Sequence, residues 1–412
     1  MINPKSDLPR YGMNREYRNL HPVRYRPDLF FLKIYNIIKT IWYTLPLRIG
    51  FILRGRQILP KIFFLKTSKL KCSNHVWGRT YIRYRRTIMR FILLSIILLL
   101  INTCQKPEIP EGPQFHILSC CSLPGYAKGL DIVNNFAYVA NGQGGLQIVD
   151  ISNPESTFVV GSYITANDAN AVAIRDTFAY LAITSSSNGG LVIANIADPS
   201  APVFVGQDAS IYCYDVAAPE DDTMYVYLAA RYWFHVEDVY TFGPQYPSYA
   251  RRFPSPGGDF RGISMVDTMA YLACEQMGMY IYNLAKPDSL ALVGWQDTPS
   301  NARNVVVSGN YAYIADGRGG LVIIDIADSD NPQIISTYDT PEYANDVFVS
   351  RNCAYIADGD AGLQIIDISN PTDPVYYGSI ETSYAYSVYV RNDSIYIADR
   401  DMGLVIIIEE EE

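Results

Sequence analysis

The string GLQIVDISNP at Gly145–Pro154 returns almost unchanged as GLQIIDISNP at Gly362–Pro371, more than two hundred residues later. A catalytic motif is normally needed once, so a near-copy at this distance indicates a structural unit that is used repeatedly. Successive starts of the repeated string are 41 to 45 residues apart. Besides the two quoted copies, related strings begin at Gly190, Trp233, Gly278, Gly320 and Gly403.

A second marker precedes each copy and keeps the same period. It is a short aromatic segment, such as FAYVANG or YAYIADG, and its tyrosine recurs as Tyr138, Tyr180, Tyr227, Tyr271, Tyr313, Tyr355 and Tyr396. Two independent markers that coincide seven times predict seven structural repeats.

Each repeat has the pattern of four β-strands. Residues 346–352, DVFVSRN, alternate apolar and polar side chains, as a half-buried strand does. CAYIADG and GLQIIDI are rich in β-branched and aromatic residues, and the turn ISNPTDP leads to a fourth strand, VYYGSI. No helical period is present. The sequence therefore predicts an all-β fold over residues 113–412, a seven-bladed β-propeller of four-stranded antiparallel blades.

The two ends of this region complement each other. Residues 115–124, FHILSCCSLP, occupy the position of a fourth strand, whereas the seventh repeat stops after its third strand at GLVIII. We expect the N-terminal strand to complete the last blade, because closing the ring removes an exposed sheet edge.

Residues 113–412 resemble the LVIVD-repeat family of bacterial and archaeal surface proteins. The resemblance is carried by LQIVD at Leu146–Asp150, LVIID at Leu321–Asp325 and LQIID at Leu363–Asp367. It implies a β-propeller at the cell surface, but the family has no single established activity. The third repeat departs most from the pattern, since it lacks the glycine and is followed by an enlarged aromatic loop.

Charge divides the chain into two unlike parts. Residues 1–90 hold 20 Lys/Arg and 3 Asp/Glu, which leaves 13 basic and 39 acidic residues for 91–412. The acidic propeller argues against nucleic acid and against anionic membrane surfaces as partners.

A basic start, an apolar run and a cysteine lie between the two parts, at residues 89–104. We interpret this segment as a lipoprotein signal peptide that makes Cys104 the lipidated N-terminus, with residues 105–112 as a linker. An uncleaved membrane anchor is the alternative. Signal peptides work at the N-terminus, so Met89 is interpreted as the true start of the protein. Residues 1–88 are then the result of a start codon assigned too early, or a disordered extension. A genuine basic, membrane-associated extension is the alternative.

Cysteine and histidine show no pattern typical of catalysis. Cys120, Cys121, Cys213, Cys274 and Cys353 lack metal-ligand spacing, and we expect Cys274 and Cys353 to be buried within strands. His116 and His235 fall in predicted strands without a companion at metal or triad spacing. A zinc or histidine-based nucleophilic mechanism is therefore not expected.

Carboxylates are plentiful, and most are expected to stabilise turns. Asp150, Asp325 and Asp367 end the third strand of their repeats, where a side chain can accept hydrogen bonds from the amides of the next turn. Turn chemistry is also expected for the aspartates between strands two and three, with calcium binding as the alternative at pairs such as Asp358 and Asp360. That second group comprises Asp316, Asp358, Asp360, Asp399 and Asp401.

The most informative positions are those at which the repeat varies. The loop that enters the first strand keeps its frame, as in YAKGL, DANAV and YANDV, while its middle residue changes. In a propeller this loop opens near the central channel, so seven different side chains are expected to surround one mouth, joined by the insertion Tyr240–Phe253. Cations, amides and tyrosines there suit a carboxylated, phosphorylated or sugar ligand. We refer to these side chains as the mouth residues: Lys128, Asn170, Tyr214, Arg261, Arg303, Asn345 and Tyr386.

These observations predict a monomeric, lipid-anchored, extracytoplasmic propeller at the outer membrane or cell surface that binds a ligand or protein without a cofactor. Its expected partner is a surface protein, a carbohydrate or a small anion, and its only contact with the membrane is the lipid anchor. The alternative is a metal-dependent hydrolase or lactonase that uses inward carboxylates such as Asp215, Asp259 and Asp346. A purely structural surface protein is a third possibility.

Overall fold

The structure is a computed structural model that describes residues 49–54, 57–62, 113–185, 189–209, 212–220, 224–285 and 291–410. The chain divides into two compact units, Met1–Gln105 and Lys106–Glu412. In the first unit, strands β1 (Ile49–Arg54) and β2 (Gln57–Ile62) form an antiparallel pair. The predicted signal peptide with Cys104, the linker 105–112 and the rest of residues 1–88 lie outside the described residues.

The second unit consists of seven four-stranded antiparallel sheets, each of which is one blade. The innermost strands are β4 (Gly129–Val133), β8 (Asp168–Arg175), β12 (Cys213–Ala217), β16 (Gly262–Val266), β20 (Asn304–Ser308), β24 (Asp346–Ser350) and β28 (Ala385–Arg391). The second strands are β5 (Phe136–Ala140), β9 (Phe178–Thr184), β13 (Tyr225–Ala230), β17 (Met269–Ala273), β21 (Tyr311–Ala315), β25 (Cys353–Ala357) and β29 (Ser394–Asp399).

The outer half of each blade follows the same order. The third strands are β6 (Leu146–Asp150), β10 (Gly190–Asn195), β14 (Trp233–Asp238), β18 (Met279–Asn283), β22 (Leu321–Asp325), β26 (Leu363–Asp367) and β30 (Gly403–Glu409). The outermost strands are β7 (Phe158–Tyr163), β11 (Val203–Asp208), β15 (Ser248–Pro254), β19 (Ala291–Gln296), β23 (Gln333–Tyr338), β27 (Val375–Ile380) and β3 (Phe115–Cys121). Blades are numbered 1 to 7 by their innermost strand. The predicted all-β, seven-bladed propeller is confirmed.

The blades form a closed ring. Each innermost strand contacts the innermost strand of the next blade, and β28 of blade 7 contacts β4 of blade 1. Seven hydrophobic clusters fill the spaces between neighbouring blades, one for each pair. The core is therefore divided among seven equivalent interfaces, as expected for a fold in which every repeat packs only on its neighbours.

Strand position within a blade explains the repeat sequence. The third strand β22 is buried at Leu321 to Ile324, because both of its faces pack against a neighbouring blade. A strand that is buried on both faces needs a continuous apolar run, and LVIID supplies it. The outermost strand β23 has only partly buried or exposed residues, so it tolerates polar side chains.

Blade 7 combines the two ends of the propeller region. Strand β3 pairs antiparallel with β30, from Phe115 opposite Glu409 to Cys121 opposite Leu404. The third strand of this blade therefore has a neighbour on both sides, as the third strands of the other blades do.

The aspartates that end the third strands cap the following turns, as predicted. The Oδ1 atoms of Asp150, Asp325 and Asp367 accept hydrogen bonds of 2.8, 2.9 and 2.8 Å from the amide two residues later. This contact explains why an aspartate recurs at the end of LVIVD-like strings.

The five cysteines of the described region are free thiols. Cys353 begins β25, whereas the prediction that Cys274 lies in a strand is wrong by one residue, since β17 ends at Ala273. Burial raises the pKa of the Cys274 thiol to about 11, which makes it a poor nucleophile. Within the ranges given above, no helix is long and apolar enough to cross a membrane.

Candidate functional site

The structure brings all seven mouth residues to one cavity of about 360 Å³. Each of them stands at the start of an innermost strand, where the loop from the preceding blade enters. Asp215 and Asp346, two of the inward carboxylates named from the sequence, also line the cavity. Further lining residues were not singled out from the sequence: Asp168, Thr184, Tyr212, Asn304 and Ser387.

A buried residue holds each mouth residue in place. The side chain immediately before each mouth residue is fully buried, and in four blades its backbone forms a bridge to the preceding blade, for example from Gly317 to Ala344. The amide of Ala344 donates to the carbonyl of Gly317 at 3.0 Å. These anchors direct the next side chain toward the channel; they are Ala127, Ala169, Cys213, Phe260, Ala302, Ala344 and Ala385.

Backbone pairing places the mouth residues in two ways. In blades 2, 3 and 7 the mouth residue is the extra residue of a β-bulge, where the register shifts around Asn170, Tyr214 and Tyr386. Bulges redirect a side chain without ending the sheet. In the other four blades its amide donates to the alanine that ends the second strand, as from Arg303 to Ala315 at 2.7 Å.

Two of the three mouth cations are neutralised by neighbours. The Nζ atom of Lys128 lies 3.2 Å from Oδ2 of Asp168 and 3.1 Å from Oδ1 of Asn170. The Nε atom of Arg261 donates to Oε1 of Glu275 at 2.6 Å. Neither side chain therefore carries a free positive charge into the cavity.

Arg303 differs from the other two cations. Among the described residues its guanidinium has no hydrogen-bonded or ion-paired carboxylate. The guanidinium carbon lies 5.9 Å from the centroid of the Tyr343 ring. Burial, followed by the positive charge of Arg261, lowers the pKa of Arg303. The cavity thus contains one half-buried cation that forms no ion pair with a carboxylate in the described part of the chain.

A second ring of side chains lies two residues before the mouth residues. The ring of Tyr384 lies against that of Tyr386, with centroids 4.7 Å apart, and Tyr212 lies similarly against Tyr214 at 5.2 Å. The sequence signal for this second ring was the same fixed spacing that identified the first. Its members are Tyr126, Asp168, Tyr212, Asp259, Asn301, Tyr343 and Tyr384.

The inward aspartates proposed for a metal-dependent enzyme accept hydrogen bonds from backbone amides and side-chain hydroxyls of the protein. Oδ2 of Asp215 accepts from the amide of Ile263 in the next blade at 3.0 Å, and Oδ2 of Asp346 accepts from Ser387 Oγ at 2.6 Å. Burial raises the pKa of Asp215 to about 7 and that of Asp346 to about 6. Asp259 accepts from the Tyr214 hydroxyl at 2.8 Å. No three His, Cys, Asp or Glu residues of the described chain are grouped to hold a metal ion.

Aspartates between strands two and three accept hydrogen bonds from loop residues, in line with the structural role predicted for them. Asp358 accepts from Thr340 Oγ1 at 2.7 Å and from the Glu342 amide at 2.9 Å, and Asp316 does the same with Thr298 and Ser300. Their carboxylates hold the loop that leads from the preceding blade into the first strand of their own blade. Burial raises the pKa of both groups to about 6.

The prediction that the insertion Tyr240–Phe253 joins the mouth is wrong. It connects the third and fourth strands of blade 3, β14 and β15, whereas the mouth loops precede the first strand. Successive antiparallel strands run in opposite directions, so a connection after the third strand lies at the opposite end of the blade from the mouth. Residues 248–253 of the insertion belong to strand β15 itself.

The sequence was compared with known families and proteins. The family model described as LVIVD repeat matches residues 124–165, 166–208, 299–340, 341–382 and 383–407. Blades 3 and 4 lie between these matches, and blade 3 is the one whose sequence departs most. No curated protein matches the chain.

Solved structures share the fold at very low sequence identity. The WD40 β-propeller domain of Doa1 has a TM-score of 0.56 and 10% identity, over 73% of this chain and 98% of that one. The computationally designed Ika8 protein has a TM-score of 0.50 and 9% identity, over 70% and 98%. These similarities show the fold alone. With its repeat markers, its seven sheets and the five repeat matches, the chain is a seven-bladed β-propeller protein of the LVIVD-repeat family.

Proposed function

We propose that the protein is a lipid-anchored, extracytoplasmic binding module whose channel mouth takes an anionic ligand. The observation that carries this proposal is Arg303, a half-buried cation that lines the cavity without a carboxylate partner among the described residues. The propeller contains three times as many acidic as basic residues, so carboxylates that could pair with Arg303 are plentiful in the sequence. The absence of such a pair among the described residues therefore favours a role in binding.

An anionic ligand would offset two effects that destabilise the charged form of Arg303. Arg303 has lost part of its hydration, and it lies close enough to Arg261 to be disfavoured by that positive charge. A carboxylate or phosphate that binds there forms charge-assisted hydrogen bonds in a partly dehydrated site, where such bonds are strongest. Asn345 supports the polar character of the site: its Nδ2 donates to the Ala385 carbonyl at 3.0 Å, which directs Oδ1 away from that carbonyl.

The experiment is a calorimetric titration with trigalacturonate, a small carboxylated sugar, at low ionic strength. We expect Arg303→Ala to weaken binding at least tenfold, because a charge-assisted hydrogen bond contributes ~1.5–3 kcal/mol. The matched control is Arg351→Ala, which removes the same charge from the turn between β24 and β25, at the opposite end of the blade. The fully methyl-esterified sugar should not bind. Equal affinity of Arg303→Ala and the unaltered protein would contradict the proposal.

The proposed location depends on the sequence of residues 89–104. If Cys104 is lipidated after cleavage, the protein partitions with membranes and Cys104→Ala releases it and abolishes acyl-chain labelling. Mass spectrometry of the native protein should then find no peptides from residues 1–88. Abundant peptides from that region would favour an N-terminal extension instead.

A further inference from the structure

Two pairs of tyrosines lie at the cavity on different blades: Tyr212, Tyr214 and Tyr386 line it, and Tyr384 lies against Tyr386. Tyr212 and Tyr214 belong to blade 3, and Tyr384 and Tyr386 belong to blade 7. Both pairs are tilted, with interplanar angles of 57° and 48°, so that each presents one ring edge and one ring face to its surroundings. All four side chains are only partly buried, which leaves aromatic surface available at the mouth.

The two pairs are built in the same way. Each pair has the form Tyr-x-Tyr around a buried anchor, and each is contacted by an arginine from the connection between strands two and three of its own blade. The Arg231 guanidinium carbon lies 5.9 Å from the Tyr212 centroid, and that of Arg400 lies 4.9 Å from the Tyr384 centroid. A cation over an aromatic face holds the ring in one orientation. The same arrangement of two tyrosines and one arginine therefore occurs in two of the seven blades.

The order of blades places the cation site between the two pairs. Blades 4, 5 and 6 separate blade 3 from blade 7, and they supply Arg261, Arg303 and Asn345 in that order. In a ring of seven, blades three or four steps apart lie on nearly opposite sides. A path across the mouth thus runs from an aromatic pair, past Arg303, to a second aromatic pair.

The charged side chains along this path favour a carboxylate ligand over a phosphate ligand. Glu275 already neutralises Arg261, so Arg303 is the one mouth cation without an ion pair among the described residues. At the contact itself, the single positive charge of Arg303 matches the one negative charge of a carboxylate, whereas a phosphate monoester brings nearly two negative charges to the same point. Aromatic faces with a nearby amide oxygen at Asn345 suit flat, hydroxyl-rich rings, whose apolar faces stack and whose hydroxyls donate.

From this arrangement we infer that the mouth binds a segment of acidic polysaccharide, a chain of uronic acid residues. One carboxylate pairs with Arg303, and sugar rings on either side stack on the tyrosine pairs of blades 3 and 7. This inference rests on the proposed anion site and adds the ligand class. The two tyrosine pairs belong to blades three steps apart in the ring of seven, so we expect a ligand that contacts both to be a chain of sugars.

The experiment measures the affinity of oligogalacturonates of one, two, three, four and six units for the full chain. We expect affinity to rise with length and then level off once both tyrosine pairs are occupied. The double variant Tyr212→Leu and Tyr384→Leu should lose at least tenfold for the hexamer but less than twofold for the monomer. Leucine keeps apolar volume and so preserves the fold, which the circular dichroism spectrum and melting temperature verify. Tyr246→Leu, which removes an exposed tyrosine at the opposite end of blade 3, is the control.

The outcomes separate the two proposals. Affinity that is independent of length, or a double variant that binds the hexamer as the unaltered protein does, would overturn the polysaccharide inference and leave the anion site standing. A phosphorylated peptide that binds more tightly than the hexamer would also overturn it. If neither the oligomers nor the phosphorylated peptide bind the unaltered protein, the anion site falls as well.

Discussion

The guanidinium carbon of Arg261 lies 3.8 Å from the ring centroid of Tyr214, in the adjacent blade. The same arginine donates to Glu275, and the hydroxyl of Tyr214 donates to Asp259. A cation, an aromatic ring and two carboxylates therefore link blades 3 and 4 at the mouth. These are the two blades that fall between the family matches, so a specific contact replaces part of the repeated pattern there.

This link predicts different effects for the two mouth arginines on stability. Arg261→Ala removes the cation–π contact and leaves the partly buried Glu275 without its partner, so we expect a loss of about 1–2 kcal/mol. Arg303→Ala removes a cation that has no carboxylate partner among the described residues, and it should change stability by less than ~0.5 kcal/mol. Urea denaturation of both variants tests this. A loss for Arg303→Ala as large as that for Arg261→Ala would show that Arg303 is structural.

A buried ionisable pair lies between blades 2 and 3. His235 and Glu237, on β14, are 4% and 0% exposed, and Nδ1 of His235 lies 3.7 Å from Oε1 of Glu237. Strand pairing shows that Glu237 occupies the position of Val149 in blade 1, and His235 that of Gln147. Charged groups that face the pair are Asp208 and Arg252. In the other blades the Glu237 position is apolar.

Glu237 should make the protein less stable as the pH rises. Burial, followed by the carboxylate of Asp208, raises the pKa of Glu237 to about 8 from an ordinary value of 4.5. Between these values the folded state keeps a proton that the unfolded state has lost, so stability falls as pH increases, by about 1 kcal/mol per pH unit. Glu237→Val should therefore raise the urea midpoint at pH 8 and flatten its dependence above pH 6.5. The exposed Glu381→Val serves as control, and an unchanged pH dependence in Glu237→Val would refute the assignment.

His235 should have the opposite effect in acid. Burial lowers the pKa of His235 to about 4 from 6.5, so the unfolded state gains a proton before the folded state does, and stability falls as pH drops from 6.5 toward 4. His235→Gln places the residue of blades 1 and 6 at this position, where the Gln147 Nε2 donates to the Gly144 carbonyl at 2.6 Å. We expect this variant to unfold at lower pH than the unaltered protein. Acid denaturation followed by tryptophan fluorescence measures it, and an identical midpoint would contradict the prediction.

The repeat made both the fold and the mouth predictable from the sequence. Seven copies of one string fix which positions are packed alike, so Ile148, Ile323 and Ile365 identify the core and the varied loop position identifies the channel. The same spacing extends to Tyr343 and Tyr384, which a second pass over the loops would have found. Comparing the seven copies therefore distinguishes core positions from channel positions, which a single copy of the repeat could not do.

Pairing between blades could not be predicted, because it depends on contacts that no local pattern encodes. Asp215 and Asp346 have the type and position of catalytic carboxylates, yet they accept backbone amides of the neighbouring blade. The insertion Tyr240–Phe253 has the composition of a binding loop, but the direction of β14 takes it to the other end of the blade. In both cases the residue types were visible in the sequence, whereas their contacts depend on the arrangement of the blades.

The last blade offers a test of ring closure. Strand β3 is the outermost strand of blade 7, and its Phe115 lies 6.3 Å from Tyr377 of blade 6, centroid to centroid, so it also covers a neighbouring blade. Deleting residues 113–121 removes a ladder of backbone hydrogen bonds of ~1 kcal/mol each and exposes the edge of β30. Because folded domains are stable by only ~5–15 kcal/mol, we expect a clearly lower melting temperature and self-association through the open edge. Differential scanning calorimetry and light scattering measure the two effects.

A synthetic peptide of residues 113–124 added in trans should restore part of the melting temperature, whereas a peptide with the same composition in scrambled order should not. A deletion variant that stays monomeric and melts at the original temperature would show that β3 is dispensable for closure.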